Sequence, residues 1–198
     1  GYQGAVIVLG RGFQRTVIAD DGAHVTVGAA TVLSRLVNEM MSLGLSGLEF
    51  AVGIPGTVGG AVSMNAGTRR EWIGQLVESL VTYVPGEGLR YYDHDDIYWG
   101  YRETGLPGSE IVLEATLVLK PGKKDDIRER MERYLGRRRR SQPIGKASCG
   151  SVFRNPPDKS VGAMIDDCGL KGFSVGGAEV SPVHANFIVN NGSATAKD

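Results

Sequence analysis

Three stretches hold side chains whose types and spacing could do chemistry. In IYWGYRETGLPGSE, Arg102 stands beside aromatic residues and ahead of a turn. A guanidinium is a permanent cation with a planar donor fork, suited to a carboxylate or an enolate-like oxygen. A solvated arginine paired with Glu103 or Glu110 would satisfy the same pattern. In ASCGSVFRNPP, Ser148, Gly150 and Ser151 lead into an apolar pair, then Arg154, Asn155 and two prolines. A hydroxyl on a glycine-flanked turn could donate a proton or cap a strand. No G-x-S-x-G elbow surrounds Ser151, which argues against a hydrolase nucleophile. The third stretch is GIPGTVGGAVSMNAG, with Gly53, Gly56, Gly59 and Gly60 inside eight residues, beside Pro55. Glycine costs entropy on folding, so such a cluster implies unusual dihedrals or a very close neighbour. The neighbour could be the chain's own backbone or a bound phosphate. The stretch is neither a GxGxxG turn nor a P-loop. A run of exposed N–H groups can still hold a pyrophosphate without either motif. A tight structural turn and a cofactor cradle both remain open.

Other candidates are weaker. His24 and His94 sit in strand or turn contexts and read as structural or exposed. His184, in SPVHANFIV, could line a site or be a hydrogen-bonded edge residue. Arg137–Arg140 suits the C-terminal end of a helix dipole, or a diphosphate. Cys149 and Cys168 make neither a metal pattern nor a disulfide framework, and a reducing cytoplasm is the simplest reading. The spacing suggests no metal site. Lys+Arg and Asp+Glu both number 22, so net charge points to neither nucleic acid nor a membrane surface. No apolar run approaches a membrane span. Nothing in the sequence sets the oligomeric state.

These residues need elements to carry them. AVIVL (5–9) and HVTVGA (24–29) read as strands bounded by turn residues. TVLSRLVNEMMSLG places Val32, Leu33, Leu36, Val37, Met40 and Met41 at helical spacing, with Gly44 just past the end. LVESLVTYV (76–84), the turn PGEG and IVLEATLVLK (111–120) read as strand, turn and strand. DDIRERMERYLGRRRR (125–140) reads as a helix with Ile127, Met131, Tyr134 and Leu135 on one face. Beyond it lie the small helix VGAMIDDCG and the short motifs GGAEVSP and NFIVNN. Gln142-Pro143 breaks the long helix, which sets a boundary between residues 1–140 and 141–198. The fold class is α+β, in two parts.

Taken in order, GLEFAVGIPGTVGGAVSMNAG, GYRET, QP…SCGSVFRNP and AMIDDCGLKGFSVGGAEVSPVHANFIVN resemble the UDP-N-acetylenolpyruvoylglucosamine reductases, the MurB family, across nearly the whole chain. The resemblance implies an FAD- and NADPH-dependent reductase making UDP-N-acetylmuramate for peptidoglycan from UDP-N-acetylglucosamine enolpyruvate. It implies the second subdomain of a vanillyl-alcohol-oxidase-type FAD-binding domain, followed by a substrate-binding α+β domain. The cofactor residues would be Gly53, Ile54, Pro55, Gly56, Thr57, Gly59, Gly60, Ala61, Asn65 and Gly67. Arg102 matches the arginine that stabilises an enolate-like intermediate, and Ser151 the serine that delivers the proton. Tyr101, Arg139, Arg140, Asn155 and His184 fall where the family holds the substrate.

In that chemistry charge accumulates beside the substrate carboxylate, where a fixed cation in a water-poor site opposes it. A serine hydroxyl is a weak acid and needs neighbours or a water chain to be reprotonated. The resemblance further implies that a first flavin subdomain and a C-terminal glutamate lie outside these 198 residues. A piece lacking both is expected to be colourless and inactive on its own. Thr68-Arg69-Arg70 stands where the family often has an aromatic residue after Asn65-Ala66-Gly67. Two rivals are a cofactor-free scaffold and a different flavoprotein oxidase of the same superfamily. Retention of Arg102 and Ser151 argues against both.

Overall fold

The computed structural model describes residues 3–198. Its contacts divide the chain into two units, Gly1–Tyr134 and Leu135–Asp198. The division falls inside the long helix, whereas the sequence reading sets it at 140/141, where that helix ends.

The first unit contains β1 (Thr16–Ile18), β2 (His24–Gly28), α1 (Leu33–Leu43), β3 (Leu45–Ser46), α2 (Val58–Ser63), β4 (Val77–Val84), β5 (Gly88–Asp93), β6 (Trp99–Gly100), β7 (Glu103–Thr104), β8 (Ile111–Val118), β9 (Lys120–Pro121) and most of α3 (Lys124–Ser141). Five strands form an antiparallel sheet in the order β1-β2-β8-β4-β5, while β3 pairs with β9 and β6 with β7. Alternation sends Val25, Val27, Leu80, Ala115 and Leu117 into the core. Leu33, Leu36, Val37 and Met40 of α1 meet them at i, i+3, i+4 and i+7. Gly44 ends α1 in the left-handed region, φ 74°, its N–H donating to Met40 and Met41.

Residues 5–9 are not a strand. Their β-prone side chains have no ladder to join among the described residues, and Val6, Ile7 and Val8 lie exposed. Strand preference is a preference for a pleated, paired surface, and it lapses where no partner edge is available. The glycine-rich loop is also not all loop, because its middle is α2.

The second unit contains the end of α3, β10 (Ala147–Ser151), α4 (Val161–Asp167), β11 (Ser174–Val175), β12 (Ala178–Val180) and β13 (Phe187–Asn190). Its antiparallel sheet runs β10-β13-β12-β11, so Ser151 lies on an edge strand. Ser160 caps α4, its hydroxyl accepting from the Ala163 N–H.

Candidate functional site

The glycines of 53–67 divide by cause. Gly53 and Gly56 hold φ of 75° and 107°, where a side chain would be strained. Gly59 is required by the chain itself, since a Cβ there would stand 2.8 Å from the Ala29 Cβ. Gly67 is likewise closed, with the Glu71 carbonyl 2.3 Å from its missing Cβ. Gly60 is different. It is exposed, and a Cβ would meet nothing nearer than the Thr57 hydroxyl at 3.7 Å.

The N–H groups of α2's first turn are already spent. Val58 donates to the Thr31 carbonyl, Gly59 to the Ala29 carbonyl and Gly60 to the Thr57 hydroxyl. The N–H groups of Gly53, Gly56 and Thr57 donate to no group among the described residues, and all three residues are exposed. The buried Thr31 hydroxyl, beside this segment, also lacks a partner among the described residues. Ile54 donates to Ala51, and Ala61 is buried in helix packing.

Asn65 and Arg102 are the two non-glycine residues with positive φ among those described, 41° and 56°. Such conformations persist only where surroundings over-determine them. Here two hydrogen bonds cross between the segments. The Asn65 amide donates to the Gly100 carbonyl at 2.8 Å, and Arg102 Nη2 donates to the Gly67 carbonyl at 3.1 Å. Asn65 Oδ1 also accepts the Gly74 N–H at 3.1 Å, so both ends of its amide hold backbone. Arg102 therefore tips the β6–β7 hairpin, stacked over Tyr101 and tied to the last residue of the glycine segment. Glu110 is engaged elsewhere, accepting from Arg90, Tyr92 and Thr82. Burial alone would raise its carboxyl pKa, but those hydrogen bonds and the Arg90 charge bring it below the ordinary range.

In the second unit Ser151 pairs with Phe187 just past a bulge, where Gly150 has φ 82°. A bulge at an edge re-aims the side chain that follows it. Asn155 accepts the Val161 N–H at 2.9 Å and so helps to start α4. His184 Nδ1 accepts the Asn186 N–H at 3.2 Å, and the ring packs on Phe187. Burial, with the charge of Lys171 adding to it, holds the His184 pKa below its ordinary value. With Nδ1 already accepting the Asn186 N–H, the ring's shown role is that of a hydrogen-bond partner. Asn186 escaped the sequence reading; its only signal was an amide at the head of an apolar strand.

Arg139 and Arg140 line a cleft of about 420 Å³ with Gln142, Lys146, Glu179 and Val183. Ser151, Asn155 and His184 are not among its lining residues. Three cations against one carboxylate suit an anion with several oxygens.

Residues 142–198 match the model of the UDP-N-acetylenolpyruvoylglucosamine reductase C-terminal domain, and residues 1–84 match an FAD binding domain. A UDP-N-acetylenolpyruvoylglucosamine reductase of Bacillus licheniformis is 42% identical over 201 residues, covering 100% of this chain and 65% of the relative. One from Geobacter metallireducens is 43% identical, with 100% and 65% covered. The chain belongs to the UDP-N-acetylenolpyruvoylglucosamine reductase family. The crystal structure of the MurB protein of Thermus caldophilus agrees, at 44% identity and a TM-score of 0.82, over 87% of this chain and 64% of that one. The chain spans about 65% of the length of the curated relatives it matches. Its fold is thus α+β, combining an FAD-binding-domain part with a MurB C-terminal domain.

Proposed function

We propose that the protein is an FAD-dependent reductase that uses NADPH to convert UDP-N-acetylglucosamine enolpyruvate into UDP-N-acetylmuramate, a cytoplasmic step of peptidoglycan synthesis. The observation that carries this reading is Arg102, whose φ is 56° and whose guanidinium donates to the carbonyl of Gly67. A fixed cation at the edge of the glycine segment supports this reading. The fit rests on the N–H groups of Gly53, Gly56 and Thr57 and on the open space at Gly60. Ile54, Pro55, Ala61, Asn65 and Gly67 shape that segment. FAD, when bound, supplies the relay of a hydride from NADPH to the methylene carbon of the enolpyruvyl group.

Arg102 then opposes the negative charge that develops across the neighbouring carbon and the carboxylate. The Ser151 hydroxyl delivers a proton to that carbon, completing addition of one hydride and one proton across the double bond. Tyr101, Asn155 and His184 shape the substrate surroundings, and the Arg139–Arg140 cleft takes the diphosphate. Residues 141–198 serve the substrate and residues 1–140 chiefly the cofactor, with Tyr101, Arg102, Arg139 and Arg140 as the substrate-directed exceptions.

The test separates the two halves of the reaction in the full-length protein. Ser151→Ala is expected to leave flavin reduction by NADPH nearly intact and to slow flavin reoxidation by substrate. Equal slowing of both would assign Ser151 a structural role only.

A further inference from the structure

The two residues after Ser151 are exposed, with Val152 at 48% and Phe153 at 57%, and regular pairing ends at Ser151. They are nevertheless fixed by three consecutive hydrogen bonds, all from one residue. The Asn186 carbonyl accepts the Val152 N–H at 2.9 Å. Its side-chain Oδ1 accepts the Phe153 N–H at 3.0 Å, and its Nδ2 donates to the Phe153 carbonyl at 2.9 Å. A primary amide here does what a neighbouring strand would do, presenting one donor and one acceptor to one peptide residue. Asn186 is only 2% exposed and is itself anchored. Its N–H donates to His184 Nδ1, and the His184 ring is backed by Gly162 of α4, where a Cβ would come within 3.1 Å of Cε1.

We propose that Asn186 is a positioning residue for Ser151, extending the edge strand beyond the bulge so that the hydroxyl stays fixed. The chain of contacts runs from α4 through His184 to Asn186 and then to the backbone that follows Ser151. Gly150 permits the turn, and Asn186 stops it from swinging. This rests on the reading of Ser151 as the proton donor. A displacement of about 1 Å at such a group can cost about a hundredfold in rate.

The experiment uses the full-length protein with Asn186→Ala and Asn186→Asp, and two readouts. The first is hydrogen exchange of the Phe153 amide. Alanine is expected to deprotect it, while aspartate, which keeps the Oδ1 acceptor, leaves it protected. The second is the rate of flavin reoxidation by substrate relative to flavin reduction by NADPH. That ratio is expected to fall about tenfold or more in Asn186→Ala and less in Asn186→Asp, with substrate KM moving within about threefold. If the alanine variant does not fold, a lowered ratio in Asn186→Asp carries the test. Unchanged Phe153 exchange in Asn186→Ala, or an unchanged ratio in both variants, overturns the proposal. Faster exchange with a wild-type reoxidation rate in Ser151→Ala instead overturns the role of Ser151 itself.

Discussion

At the scale of single residues, the two hydrogen bonds that join the Asn65 and Arg102 segments make distinct predictions for the two residues. Arg102→Lys keeps a charge but loses the planar fork and the bond to the Gly67 carbonyl. It should cut flavin reoxidation by substrate about a hundredfold, as loss of a preorganised charge-stabilising donor does, and raise substrate KM far less. A rate within about twofold of wild type would remove Arg102 from the chemistry. Asn65→Gly keeps the positive φ and deletes only the clamp, stranding the Gly100 carbonyl and the Gly74 N–H. Denaturant unfolding should register a loss of about 2–3 kcal/mol. The adjacent glycines give opposite signs. Gly59→Ala drives a methyl into the buried Ala29 and should cost about 1–3 kcal/mol. Gly60→Ala meets open space and should stabilise α2 by up to about 1 kcal/mol, and on the proposed placement of the flavin it should weaken FAD binding. Unchanged FAD affinity in Gly60→Ala would mean that the cofactor does not approach α2 there.

At the scale of elements, charge links the strands as well as hydrophobic packing. His24 on β2 bonds Asp21 through Nδ1 and Glu78 of β4 through Nε2. Asp21, which also accepts the backbone N–H groups of Ala23 and His24, is lowered to about 2 from 3.8. His24 is raised above 6.5, chiefly by Asp21. A raised histidine contributes stability that is complete below pH 6.5 and fades as pH rises through its folded value. The depressed aspartate contributes above pH 3.8 and fades as pH falls towards 2. The melting-temperature difference between wild type and His24→Gln should therefore be largest between these limits and shrink on the alkaline side. A difference that stays the same from that range up through the alkaline side would show the pair to be energetically silent. Elements with local signals were legible in the sequence: the apolar stripe and Gly44 of α1, and the alternation of β4 and β8. The α2 helix was not, because six residues with two glycines offer little propensity, and Thr57 at its cap is a modest cue. AVIVL misled for the converse reason, since propensity says nothing about whether a partner edge exists.

At the scale of the molecule, the chain carries two kinds of site on two units. The segment proposed to face a flavin and Arg102 lie in the first, Ser151 and the Arg139–Arg140 cleft in the second. Motif order alone made the family and both proposed chemical residues legible. The amide clamps were not legible, because Asn65 reaches Gly100 across 35 positions and Asn186 reaches Phe153 across 33. Such pairings exist only once the sheets have formed. The central claim is that this protein reduces an enolpyruvyl sugar nucleotide through a bound flavin. Its most direct test is an anaerobic stopped-flow experiment on the full-length protein, in which NADPH first bleaches the flavin absorbance and UDP-N-acetylglucosamine enolpyruvate is then added. Return of the oxidised flavin spectrum with formation of UDP-N-acetylmuramate is the predicted result. A bleached flavin that ignores this substrate and recovers only on admission of oxygen would contradict the account and point to an oxidase.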